Sequence, residues 1–242
     1  MLQRFLNSFK TNCRYIVRDP ILLAAVLFPL ITILLLRFAI NPVSELIFLK
    51  TGFSLDAYYT IIAITLISVI PALLGFIYAV IDMDKFDSHK VNIVMVSPAD
   101  KKSFFYFSIM EPVLLCFIMI VIVTFLTDPV PSEGWLRSVF VSFLLSLQSS
   151  LVILFLRSLS NSRAKAIVLL IIYGIFLALI PIGLLLHHPW NYLLSYFPYY
   201  WISWAWISYS PGESFFYGAI SIAITLGYNI WFYSHLLKKK KA

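Results

Sequence analysis

Charge is scarce in this chain. Only 12% of its 242 residues are Asp, Glu, Lys or Arg, while 61% are hydrophobic. A soluble domain carries about a quarter charged residues. A polytopic membrane protein is therefore expected, with one membrane domain over residues 1–242 and no room for a second, soluble one. Cysteine is nearly absent. Cys13 lies in a basic amphipathic stretch and Cys116 in an apolar run, and neither has disulfide or metal spacing. No phosphate loop of the form GxxxxGKS/T occurs, and HExxH and GxSxG are missing. His187-His188 is a histidine pair, but adjacent helix positions do not face one site. The chain on its own thus offers no recognisable hydrolytic centre and no metal set. Internal repeats are lacking too, so an inverted-repeat secondary transporter has no support. No cleavable signal peptide is expected, because more spans follow the first apolar run.

What is present is a succession of apolar runs. Residues 2–18 form an amphipathic helix pattern. At about 100° per residue, Leu2, Phe5, Leu6, Phe9, Cys13, Ile16 and Val17 share one arc. Arg4, Lys10, Arg14 and Arg18 fall opposite, as on a helix lying at the membrane surface; the plainer alternative is a basic juxtamembrane tail. Asp19-Pro20 then turns the chain. Six spans are expected at about 21–40, 58–81, 104–127, 137–156, 166–186 and 214–237. Residues 41–57, opened by Asn41-Pro42, read as an external loop. The stretch 187–212 is apolar but broken by Pro189, Pro198, Pro211 and Gly212. Its tryptophans Trp190, Trp201, Trp204 and Trp206 predict an outer aromatic belt on two short helices dipping into the interface.

Orientation follows from the bases. With both termini and the connections 82–103 and 157–165 on one side, that side holds fifteen of the eighteen Lys and Arg. Arg37, Lys50 and Arg137 remain for the other. Both termini are therefore expected in the cytosol. The net charge of +7 reads as this topology signal and not as a nucleic-acid surface.

The connection 82–102 is the most polar stretch between two spans. Within it, Phe86, Val91, Ile93, Val94 and Met95 alternate with Asp84, Lys85, Asp87, His89, Lys90 and Asn92. A short amphipathic helix stopped by Ser97-Pro98 is predicted, serving either as a docking element or as a solvated connector. Among polar residues inside the spans, Glu111 is costly unless paired or facing water. It reads equally as a group on a translocation path or subunit interface and as a hydrogen-bonding partner of a neighbouring helix. Gln148 and Ser149 invite the same question. Ser138, Ser142, Ser146 and Ser150 recur at a spacing of four, which favours close helix packing.

The order of these parts resembles the type-2 ABC exporter permease family over nearly the whole chain, and in particular its small bacterial drug and fluoroquinolone export permeases. Arg18-Asp19-Pro20 with Pro29 is similar to that family's elbow-helix opening, and Ser97-Pro98 to the end of its coupling segment. The family's acidic-basic pair followed by Gly-Thr is absent; Asp84-Lys85 stands there without the Gly-Thr, and no large external domain is present. The resemblance implies an all-α membrane protein of six transmembrane helices with an N-terminal elbow helix (1–19), a short cytosolic coupling helix between spans 2 and 3, and broken re-entrant helices between spans 5 and 6. It also implies a bacterial inner-membrane location, a second permease subunit, and soluble ATPase partners that bind the ATP and Mg. The coupling residues would be Asp84, Lys85, Phe86, Asp87, His89, Lys90, Ile93 and Met95. Alternative readings are a structural or assembly subunit, or an intramembrane lipid-modifying enzyme built around Glu111.

Overall fold

The computed structural model describes residues 2–55, 58–87, 98–127, 135–160, 162–185, 194–208 and 210–239. Every regular element among them is a helix. Helix α1 covers Leu2–Arg18. Helix α2 (Pro20–Leu34) starts at once, because Asp19 caps it and Pro20 fills its first turn. The Asp19 carboxylate accepts the backbone N–H of Ile21 at 2.9 Å and of Leu22 at 3.3 Å, and proline loses nothing where the N–H has no helical partner. A π-helical turn, Leu35–Ala39, joins α2 to α3 (Ile40–Thr51). Then follow α4 (Tyr59–Asp87), α5 (Pro98–Thr127), α6 (Trp135–Leu159), α7 (Arg163–Leu185), α8 (Pro198–Ile207) and α9 (Pro211–Lys239). Among the described residues, five helical stretches are long and apolar enough to cross a membrane: Pro20–Thr51, Tyr59–Asp84, Ser108–Thr127, Trp135–Leu159 and Pro211–Lys238.

Three sequence expectations are corrected here. Residues 41–51 are not loop, since the first span runs on as helix to Thr51. A proline inside a helix removes one hydrogen bond and crowds the preceding turn. The π turn just before Pro42 relieves this, its last bond running from the Ile40 N–H to the Leu35 carbonyl. The helix ends only at Gly52, whose φ of 72° closes it with a bond to Phe48. At about 1.5 Å per residue the stretch is about 48 Å long, so α3 extends beyond a hydrocarbon core of about 30 Å. Second, α4 continues through Asp87, so Asp84, Lys85, Phe86 and Asp87 extend the second span and do not open a separate helix. Third, Pro98 begins α5 two turns before Phe104, because proline suits a first helical position.

Helix α6 is the centre of the bundle. Within its apolar window 72% is buried, against 22% in Pro20–Thr51 and in Pro211–Lys238. It packs on α4, α5 and α9. Contact with α4 is made at Gly75, where an added Cβ would lie 2.7 Å from Val152 Cβ and 2.9 Å from the Ser149 carbonyl. Ser142, Ser146 and Ser149 are fully buried, and each hydroxyl donates to a carbonyl one turn back on α6. They are small enough to admit a neighbour and leave no orphan hydroxyl behind.

Helix α8 has ten residues, about 15 Å, and is too short to span. It lies antiparallel along α9. Near one end the Ser208 and Ser214 hydroxyls are 2.6 Å apart. At the other, Ser221 donates to the Pro198 carbonyl at 3.2 Å. Tyr228 donates to the Tyr196 carbonyl, also at 3.2 Å.

Candidate functional site

The polar side chains buried at one end of the bundle come from four elements. Helix α4 supplies Tyr78 and Asp82, one turn apart on the same face. Helix α5 supplies Ser108 and Glu111, again one turn apart. The two helices are antiparallel, so Tyr78 meets Glu111 and Asp82 meets Ser108. The Tyr78 hydroxyl donates to Glu111 Oε1 at 2.9 Å. Ser108 Oγ donates to Asp82 Oδ1 at 3.3 Å. Helix α6 adds Arg157, whose Nη1 donates to Asp82 Oδ2 at 2.8 Å, with side-chain exposures of 6% and 3%. Helix α1 adds Asn12, whose Nδ2 donates to both Glu111 oxygens at 2.9 and 3.0 Å.

The electrostatics explain why these groups converge. An isolated charge among apolar helices carries a large desolvation cost. Asp82 and Arg157 neutralise one another, and Ser108 occupies another carboxylate lone pair. Glu111 is 2% exposed and is satisfied by three donated bonds. Beside this cluster Arg163, at the start of α7, pairs with Asp19 at the joint between α1 and α2. Burial alone would raise the Asp19 carboxyl, but the Arg163 bond and the two backbone N–H groups outweigh it and hold it below its ordinary value. Burial and the neighbouring Glu111 push the Cys13 thiol up, away from the reactive thiolate.

Glu111 is therefore placed against Asn12 and Tyr78. Gln148 stands apart from it: its Nε2 donates to Thr225 Oγ1 on α9 at 2.9 Å. Ser149 bonds back along α6. Lys10, Arg14 and Arg18 are exposed on α1. The inward face of α1 is not quite the expected apolar arc, because Val17 is 69% exposed while Asn12 is 3% exposed. Trp201 and Trp204 are half-buried against Tyr217, and Trp206 is buried. His89, Lys90, Ile93, Met95 and Trp190 lie outside the described residues, as do the side chains of Arg4, Lys85, Phe86 and Asp87. Sequence reading missed the partnerships of Asn12, Tyr78, Asp82 and Arg157. The available signal was an acid and an arginine at matching depth on two spans, Asp82 and Arg157.

Five apolar helical stretches of membrane length, arranged on one buried helix and locked together by polar contacts, define a multi-pass helical membrane protein. Residues 12–233 match the family described as fluoroquinolones export permease protein Rv2686c-like, and the chain belongs to that family. It is accordingly a transporter subunit of the export permease kind and not an enzyme. No curated protein and no solved structure matches the chain.

Proposed function

We propose that this chain is the membrane-spanning subunit of an ATP-binding-cassette exporter that moves fluoroquinolone-like, aromatic and amphipathic molecules out of a bacterial cell. The observation that carries this reading is the family match over residues 12–233, which takes in the C-terminal part of the elbow helix, the coupling segment and nearly all of the spans. In this reading Arg163–Leu185 is the fifth of six spans, and both termini and residues 84–96 face the cytosol. Residues 194–208 belong to a re-entrant excursion beside α9. A second permease subunit completes the path, and soluble ATPase subunits bind ATP and Mg.

The buried cluster supports a route for coupling. Asp82 lies one residue pair before Asp84-Lys85 on the same continuous helix, and it is fastened to α6 through Arg157 and to α5 through Ser108. A push on the cytosolic end of α4 then reaches the centre of the bundle through a short, paired, desolvated contact. Asn12 and Glu111 fasten the elbow helix to the same body. ATP binding at a distant site would bias a two-state packing of this unit.

The test is reversal of the charges at Asp84 and Lys85 in the chain reconstituted with its ATPase. Membrane insertion and basal ATP hydrolysis are expected to persist while fluoroquinolone efflux from vesicles falls severalfold. Efflux that remains at the wild-type rate, or a purified chain that binds no ATPase, would count against this reading.

A further inference from the structure

A second feature lies away from the charged cluster. Between α6, α7, α8 and α9 is a cavity of about 140 Å³. Its wall is a chain of rings. Phe155 meets Tyr173 at 5.8 Å and Phe232 at 5.5 Å between centroids. Tyr173 meets Tyr199 at 6.2 Å, and Phe232 meets Tyr228 at 6.4 Å. Every residue lining the cavity is uncharged. The Tyr199 hydroxyl is buried and forms no hydrogen bond of regular geometry. Its neighbour is the Tyr173 hydroxyl, a partner of the kind a buried tyrosine usually finds for its O–H.

Outside the chamber, a wider groove of about 630 Å³ runs along α9 beside Tyr196, Trp201, Gly227 and Trp231. Tyr228 lines both spaces. Its hydroxyl is held by the Tyr196 carbonyl at 3.2 Å, so its ring forms part of the wall between them. At Gly227 an added Cβ would meet nothing within 4 Å, which keeps the groove open on that side.

Size and chemistry select the occupant. An apolar cavity of about 150 Å³ admits a benzene ring. Ring-lined walls favour another flat ring through edge-to-face and offset contacts. We propose that this intra-subunit chamber binds one flat, uncharged aromatic ring, with the remainder of a larger molecule lying in the groove past Tyr228. That the natural ligand is the exported drug rests on the proposed function; occupancy of the chamber does not.

The full chain in lipid nanodiscs, photolabelled with 4-azidoacetophenone and mapped by peptide mass spectrometry, tests this. Label is expected on peptides carrying Tyr173 or Phe232, competed by excess acetophenone. Leu177→Trp, which fills the chamber, should reduce the competed label at least tenfold. Competed label that is undiminished by Leu177→Trp would overturn the proposal. So would displacement by oleate as effective as by acetophenone, since the chamber would then hold a lipid chain. Neither readout involves ATP or efflux, so the export reading stands or falls separately.

Discussion

At the scale of residues, the Asp82–Arg157 pair decides most. Both groups are almost wholly desolvated, so removing one takes from the other the counter-charge that offsets its burial. Arg157→Leu is expected to cost about 3–5 kcal/mol, whereas Asp82→Leu combined with Arg157→Leu should recover most of that loss. Thermal unfolding in detergent measures both, and additive losses in the double variant would refute the pairing argument. Asp19 makes a gentler prediction. Its folded carboxyl sits below its unfolded value, so its contribution is complete above the unfolded value and is lost as pH falls through the folded one. Acid melting of α2 should therefore be shallower in Asp19→Asn, followed by circular dichroism between neutral and strongly acidic pH. At Gly75 the quantity is space. An alanine Cβ would stand 2.7 Å from Val152 Cβ and 2.9 Å from a backbone carbonyl, and overpacking of this kind costs about 1–3 kcal/mol. Gly75→Ala should lower the melting temperature, and Val152→Ala in the same chain should restore only part of it, because the Ser149 carbonyl remains in the way.

At the scale of elements, α1 is an attachment and not a free surface helix. Asn12 spends its amide hydrogens on Glu111, and Ile16 is buried beside it. Asn12→Leu removes two of the bonds that the Glu111 carboxylate accepts. Amide exchange across residues 9–18 is expected to quicken about tenfold or more, in line with roughly 1–3 kcal/mol for an unmet buried acceptor, while exchange in α6 stays slow. Equal quickening in both helices would mean general loosening and sink the attachment idea. The first span shows the opposite balance of signals. Asn41-Pro42 reads locally as a turn, yet the chain continues as helix, with a π turn just before the proline to accommodate it. Arg37, in that turn, donates to the Leu126 carbonyl at 3.3 Å, and Tyr59 donates to the Thr127 carbonyl at 2.9 Å. These bonds tie the first span and α4 to the far end of α5. No local turn rule contains such contacts.

At the scale of the whole molecule, the buried helix α6 and its packed neighbours are gripped at two points. One is the Asp87 end of α4, the other is α1, and both reach the bundle through buried polar contacts. Asp82→Asn keeps a hydrogen-bonding side chain for Ser108 but removes the charge that answers Arg157. Under the proposed function the ratio of drug exported to ATP hydrolysed should fall severalfold in vesicles containing the full complex. Insertion, read by protease protection, should be unchanged. An unaltered ratio would mean that the pair serves stability alone.

Sequence alone determined the class of this protein. Scarce charge and long apolar runs leave the backbone one way to satisfy itself in lipid, which is helix. The break at Asp19-Pro20 was legible because a turn involves residues adjacent in the chain; that Asp19 also caps α2 came from the structure. Glu111 was legible as a costly group that had to be resolved, but not how it was resolved. Asn12 lies 99 residues from Glu111, and Arg157 lies 75 from Asp82. A charge at membrane depth announces that it needs a partner; which helix brings that partner is settled by packing at Gly75 and the serine face of α6. The aromatic chamber is a still purer product of tertiary structure. Phe155, Tyr173, Tyr199 and Phe232 look like ordinary apolar residues in their own helices, and only the meeting of four helices leaves a space between them.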